Sequence, residues 1–170
     1  LFALASTCSR AAVGLLVASP AVSAVVSKWA WLALVATCAT LGEALVAVEG
    51  VAPTMGGVLL CGLAFGAFFT LVVPVVDECF GARDFGTIMG AQLASQFFST
   101  VLFSLELLPT VYKAAEAAGS DVCHGANCYR ESFSTLAACN FLALLASLWL
   151  GARNATSLPA SRYAALHREA

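Results

Sequence analysis

Residues 50–76 read GVAPTMGGVLLCGLAFGAFFTLVVPVV, a run of 27 residues without one charged side chain. Two further charge-free runs, each of 21 residues, cover 85–105 and 132–152. A helix needs about 20 apolar residues to cross the hydrocarbon core of a bilayer, so each run is long enough. The sequence therefore predicts an all-α integral membrane protein.

The overall composition excludes several other classes of protein. Of the 170 residues, 61% are hydrophobic and 11% are charged, whereas soluble domains average about 45–50% and 25%. A soluble enzyme needs more charge than this to cover its surface. The net charge of −2 and the absence of a dense Lys/Arg stripe argue against nucleic-acid binding. The runs are continuously apolar and lack the alternation of transmembrane β-strands.

Five hydrophobic segments follow from the position of the charges, and the first is expected to be a truncated helix because the chain opens on Leu1 in mid-run. Residues 1–151 form the predicted membrane part, with an outside loop at 108–132, and residues 152–170 form a cytosolic tail. The five predicted transmembrane helices cover about 1–18, 29–48, 55–76, 85–107 and 133–151.

The basic residues predict which side of the membrane is cytosolic, because Lys and Arg are enriched in cytosolic loops. Five spans leave Lys113 and Arg130 on one side and six basic residues on the other. This places the C-terminus in the cytosol, and Asn154, although in a glycosylation sequon, would not be an acceptor there. The six cytosolic residues are Arg10, Lys28, Arg83, Arg153, Arg162 and Arg168.

Two of the seven cysteines, Cys123 and Cys128, lie in the predicted outside loop. We expect them to form a disulfide, since thiols on that side of the membrane are readily oxidised. The alternative is a metal site formed by Cys123, His124 and Cys128. That site needs a fourth ligand, which no nearby residue clearly supplies, so no metal is expected.

Two motifs resemble a known family. The first is GLAFG at 62–66, followed by Pro74 and DECFGARDFG at 77–86, and the second is CHGANCYRESF at 123–133. Together they resemble the C-terminal half of the nodulin-like family of the major facilitator superfamily. The resemblance implies a partial major facilitator C-terminal helical bundle, helices eight to twelve of twelve. The missing N-terminal bundle of the same protein would be its partner.

One position departs from that family. Its members usually carry a Ser-Asp pair at the end of helix eight, where this chain has Val17 and Ala18. The acid that would pair with an arginine of the cytosolic loop is therefore absent.

The resemblance also implies a function. The chain would belong to a secondary-active or facilitative transporter that moves a small solute, with an organic anion as one candidate, by alternating access. Membrane lipid and the solute would be its partners, and neither a cofactor nor enzymatic chemistry is expected. The alternative is a small multi-pass membrane scaffold that transports nothing.

Polar side chains inside the fourth segment are candidates for the substrate path. Gln92, Gln96 and Ser99 are spaced at i, i+4 and i+7 and therefore share one helical face. They could contact the solute, or they could form hydrogen bonds between helices. In the third segment Gly62 and Gly66 predict close helix packing. Thr70 continues that face and is grouped with the path.

Charged residues indicate two further candidate functional positions, one inside a span and one at the cytosolic end of the bundle. Glu43 is the one acid well inside a predicted span, where it could couple transport to protons or serve structure alone. Asp77, Glu78 and Arg83 lie at the cytosolic mouth and could form a gate of ion pairs. Arg10 is the expected partner of one of these acids. A simple solvated loop is the alternative for the cluster.

Overall fold

Helices form almost all of the backbone in the computed structural model, which describes residues 1–23, 25–117 and 129–157. Within these ranges there is no strand. A π-helical segment, Val101–Leu107, joins two of the six α-helices. The α-helices are α1 Phe2–Ala18, α2 Pro20–Ser23, α3 Lys28–Val46, α4 Val51–Thr100, α5 Leu108–Ala117 and α6 Arg130–Ser157.

Three helical stretches are long and apolar enough to cross a membrane: Lys28–Val46, Val51–Lys113 and Arg130–Arg153. The 17-residue α1 is apolar but shorter. The predicted helical membrane bundle is thereby confirmed as a fold class. Val51–Lys113 has 63 residues, about 95 Å of helix, which is three times the thickness of the hydrocarbon core. It must therefore bend if it is to stay within a bilayer.

The bend in α4 lies at Gly81, which has φ 73° and ψ 170° and is the one non-helical residue inside this helix. It falls between the two predicted segments 55–76 and 85–107. Pro74 lies inside α4 without ending it, because helical dihedrals continue through Pro74 as far as Gly81. Proline is tolerated inside membrane helices where neighbouring groups satisfy the freed carbonyl.

The helices pack in the order α1, α4, α3, α6, so that α4 contacts both α1 and α3, and α3 contacts α6. Leu71 of α4 is completely buried at the centre of this arrangement. It is surrounded by small and branched apolar side chains, Val13, Val35, Ala64 and Ala67. Much of the remaining apolar surface is exposed, including Leu15 and Phe97, as expected where lipid is the solvent.

Glycines let α4 approach its two neighbours closely. A Cβ at Gly66 would collide with the backbone of Ser6 in α1, and one at Gly62 would lie 2.7 Å from the carbonyl oxygen of Phe2. On the side of α3, a Cβ at Gly57 would lie 2.5 Å from the carbonyl oxygen of Gly42. The absence of side chains at these positions sets the distance between the helices.

The last helix is longer than the predicted span 133–151, since α6 begins at Arg130 and continues to Ser157. Glu131 lies in its first turn, where a negative charge is favourable near the helix N-terminus. Beyond Gly151, the Arg153 guanidinium lies 5.5 Å from the ring centroid of Trp149. The charge-free run 132–152 therefore predicts the part of α6 that can cross a membrane, but it does not predict where the helix begins and ends.

Candidate functional site

A cavity of about 670 Å³ lies between α3, α4 and α6, with Phe2 of α1 at its edge. Most of its wall is apolar and contains four phenylalanines, while six polar or acidic side chains also contribute. The apolar lining is Phe2, Leu32, Val35, Ala36, Ala39, Cys61, Ala64, Phe65, Phe68, Phe69 and Ala143, and the polar lining is Glu43, Gln96, Ser99, Thr100, Asn140 and Ser147.

Both legs of α4, before and after Gly81, line this cavity. Phe68 comes from the first leg and Gln96 from the second. In a straight helix these two residues would be about 42 Å apart, which is too far for one cavity of this size. The chain therefore changes direction at Gly81 and brings the second leg back beside the first.

A polar contact between α3 and α6 lies in the wall of the cavity. The Nδ2 atom of Asn140 donates to both Oε1 and Oε2 of Glu43 at 2.9 Å. Glu43 and Asn140 are both half-buried. A polar pair in an apolar surrounding is favourable because each group would otherwise be unsatisfied.

Two of the four predicted path residues, Gln96 and Ser99, line the cavity, and two do not. The Ser99 hydroxyl donates to the carbonyl of Gln96 at 3.0 Å, which leaves its oxygen able to accept. Gln92, one turn earlier, is outside the lining. Thr70 donates to the carbonyl of Gly66 at 3.2 Å, and its methyl group lies toward Gly14 of α1.

Sequence reasoning did not anticipate the role of α6 in this site. Asn140 is the polar residue in the middle of the run 132–152, and its position could have suggested a buried partner. Glu43 was the visible candidate for that partner, but 97 residues separate the two. The sequence did not identify Ser147 or Thr100 as site residues, because hydroxyl residues are common in membrane helices.

The predicted cytosolic cluster is only partly assembled. Glu78 forms an ion pair with Lys28, whose Nζ lies 2.5 Å from Oε2. Arg10 is not its partner here, because the Arg10 guanidinium lies 5.3 Å from the ring centroid of Phe69. Phe69 precedes Glu78 by nine residues, about 13 Å along the helix. Within the described ranges Asp77 and Arg83 form no ion pair.

We expect the Lys28–Glu78 pair to contribute little to stability. Its side chains are 35% and 63% exposed, and exposed ion pairs are worth about 0.2–1 kcal/mol. A double-mutant cycle with Lys28→Met and Glu78→Gln, followed by thermal unfolding in nonionic micelles, measures the coupling free energy. A coupling above roughly 2 kcal/mol would contradict this and would indicate a desolvated pair.

The predicted disulfide between Cys123 and Cys128 and the alternative metal site with His124 lie outside the described residues. Both therefore stay predictions. The five cysteines of the described ranges that carry free thiols are Cys8, Cys38, Cys61, Cys79 and Cys139.

Comparison with known proteins adds one relative. A protein of Yarrowia lipolytica described as "Probable transporter MCH1" is 34% identical over 143 residues. The chain is therefore similar to a protein described as a probable transporter. The match covers 78% of this chain and 29% of the relative, so the chain spans less than a third of the relative's length. No family model matches the chain, and no solved structure matches it. The narrower resemblance to the nodulin-like family stays a prediction.

Proposed function

We propose that this chain is part of a solute transporter that works by alternating access, with no covalent chemistry of its own. The observation that carries the proposal is the cavity, which holds polar groups from α3, α6 and the second leg of α4 inside an otherwise apolar bundle. Polar side chains in a bilayer are costly unless they face protein or a water-filled path. Similarity to a transporter supports this assignment.

Gln96 and Ser99 are the groups we assign to the solute within this cavity. The amide of Gln96 offers two N–H donors and an acceptor, and the hydroxyl oxygen of Ser99 offers an acceptor. Both belong to the leg of α4 that follows the bend. No residue of 82–100 is buried, and Leu93 and Phe97 are exposed. We propose that a second helical bundle of the same protein covers this leg and completes the path.

The ion pair of Lys28 with Glu78 is the element we assign to the cytosolic gate. It joins the first residue of α3 to the end of the first leg of α4. Asp77 and Arg83, which flank Glu78 on the same helix, are available to exchange partners when the access state changes. The cytosolic position of this end, and of the C-terminus, is part of the proposal and follows from the distribution of basic residues.

Replacement of Gln96 by Leu tests the path. One lost hydrogen bond is worth about 1–1.5 kcal/mol, so we expect a roughly five- to tenfold weaker apparent affinity for the transported solute. The measurement is uptake into yeast cells that express the complete gene containing this chain, across a panel of labelled organic anions, amines and sugars.

Ser95→Ala is the matched control for this experiment. Ser95 donates to the carbonyl of Gln92 at 2.7 Å, as Ser99 does to Gln96, but Ser95 is exposed and does not line the cavity. It should leave uptake unchanged. If no member of the panel is taken up above the rate of untransformed cells, the non-transporting scaffold becomes the better assignment. Equal uptake by Gln96→Leu and the parent would remove Gln96 from the path.

A further inference from the structure

One end of the cavity contains the carboxyl group of Glu43, and phenylalanine side chains line much of the remaining length. One face of α3 lines it from Leu32 to Glu43, eleven residues or about 16 Å. Helix α6 runs antiparallel to α3, because Asn140 meets Glu43 while Gly151 lies against Trp29. The Glu43–Asn140 contact therefore lies at one end of the cavity and not at its middle.

The formal charge at that end is negative, and among the described residues no Lys or Arg forms an ion pair with Glu43. Glu43 is the one formally charged side chain among the described lining residues, and none of them is Lys, Arg or His. Asn140 supplies a single nitrogen donor to its two oxygens. A carboxylate has about four acceptor sites, so Glu43 can still accept hydrogen bonds from a ligand.

The wall beyond Glu43 contains aromatic rings that contact one another edge to face. Cys61 marks the Glu43 end, because its Sγ would lie 2.8 Å from a Cβ at Gly42. Phe65, Phe68 and Phe69 follow on the same leg of α4, roughly 6–12 Å further along. The ring centroids of Phe65 and Phe69 are 4.8 Å apart in an edge-to-face arrangement, so the rings form one continuous apolar surface.

We propose that this cavity binds a monovalent organic cation, an ammonium group with an apolar body. Its N–H donors would meet the free acceptor sites of Glu43, and its body would lie along Phe65, Phe68 and Phe69. Burial of an unpaired charge is unfavourable, and a ligand cation removes that penalty. Aromatic faces attract cations in addition. The inference deepens the proposed function, because it names the class of solute for the same cavity, and it does not favour the organic anion.

Three probes with the same body and different charge test the proposal: phenethylammonium, 2-phenylethanol and phenylacetate. Binding to the purified chain in nonionic micelles is measured by calorimetric titration. We expect phenethylammonium to bind about tenfold more tightly than the alcohol, as one partly exposed ion pair and one cation–π contact allow. Phenylacetate should bind more weakly than the alcohol.

Glu43→Gln should reduce the affinity for phenethylammonium to that for 2-phenylethanol, because it removes the charge and keeps an oxygen that accepts from Asn140. Unchanged binding of the alcohol shows that this variant retains its cavity. Glu43→Asp keeps the charge and should keep the preference. Glu49→Gln, which removes an exposed carboxylate just beyond the same end of α3, is the matched control and should have no effect.

Tightest binding by phenylacetate, or a cation preference that survives Glu43→Gln, would overturn the proposal. Failure of all three probes to bind would do the same. These outcomes are independent of the uptake experiment. If the chain prefers the cation but Gln96→Leu does not change uptake, the proposed cation site is supported and the proposed transport path through Gln96 is wrong. If Gln96→Leu weakens uptake but the chain shows no cation preference, the protein transports a solute of another class.

Discussion

Gly81→Ala is expected to destabilise the fold by about 1–3 kcal/mol, although the substitution adds only one methyl group. Gly81 has φ 73° and ψ 170°, a region that is essentially restricted to glycine. Nothing lies within 4 Å of a Cβ at this position, so the cost comes from the backbone and not from crowding. Thermal unfolding followed by circular dichroism in micelles should show a midpoint roughly 5 °C lower.

The consequence of this substitution extends to the cavity. If the substituted residue adopts helical dihedrals to relieve the strain, α4 straightens and its second leg moves away from the first. Gln96 and Ser99 would then leave the wall that contains Phe68. We therefore expect Gly81→Ala to abolish binding of 2-phenylethanol wherever the parent chain binds it.

Gly86→Ala is the matched control for the bend. Gly86 lies five residues later on α4, also has nothing within 4 Å of a Cβ, and has no positive φ. Alanine is favoured over glycine inside a helix by up to about 1 kcal/mol, so this variant should be neutral or slightly more stable. Equal midpoints for the two variants would show that the backbone at Gly81 is not strained.

Gly66→Ala is expected to cost more, about 2–4 kcal/mol, because the new methyl group meets backbone atoms. A Cβ at Gly66 would lie 2.9 Å from the carbonyl carbon and 3.0 Å from the Cα of Ser6. Unlike a flexible side chain, this backbone cannot rotate aside, and overpacking of this kind typically costs about 1–3 kcal/mol. The loss of one hydrogen bond, from Ser9 Oγ to the carbonyl of Leu63 at 2.6 Å, adds about 1 kcal/mol.

The control for this prediction is Gly56→Ala on the same leg of α4. Gly56 has open space around a Cβ, whereas its neighbour Gly57 faces Gly42 and Val46 of α3. Gly56→Ala should therefore keep or raise the midpoint of thermal unfolding, while Gly66→Ala lowers it by several degrees. A Gly66→Ala variant as stable as Gly56→Ala would mean that α1 and α4 do not approach as closely as described.

The sequence predicted the helices better than it predicted their contacts. Long runs that are apolar without alternation indicate helices in a bilayer, because a helix satisfies every backbone group within its own segment. The spacing of Gly62 and Gly66 likewise indicated a close approach, and in the structure both face α1. These features depend on local spacing, which a single sequence contains.

The parts of the site that could not be predicted depend on which helices become neighbours. The Glu43–Asn140 contact joins residues 97 positions apart, and the partner of Glu78 is Lys28 instead of Arg10. A charge pattern shows that a partner is needed but not which of several similar groups supplies it. The bend was also hidden, because Gly81 is one of 13 glycines, and Pro74 was the more obvious helix breaker.

The π-helical segment Val101–Leu107 limits how far the polar face of α4 can extend. A π turn accommodates one extra residue, so the helix beyond it is rotated by about 100° relative to an uninterrupted α-helix. The spacing that aligns Gln92, Gln96 and Ser99 therefore does not carry over to Glu106 or Thr110. Deletion of a single residue within 101–107 would remove the extra residue and restore a regular α-helix, while the side chains beyond it would keep the faces that they occupy now.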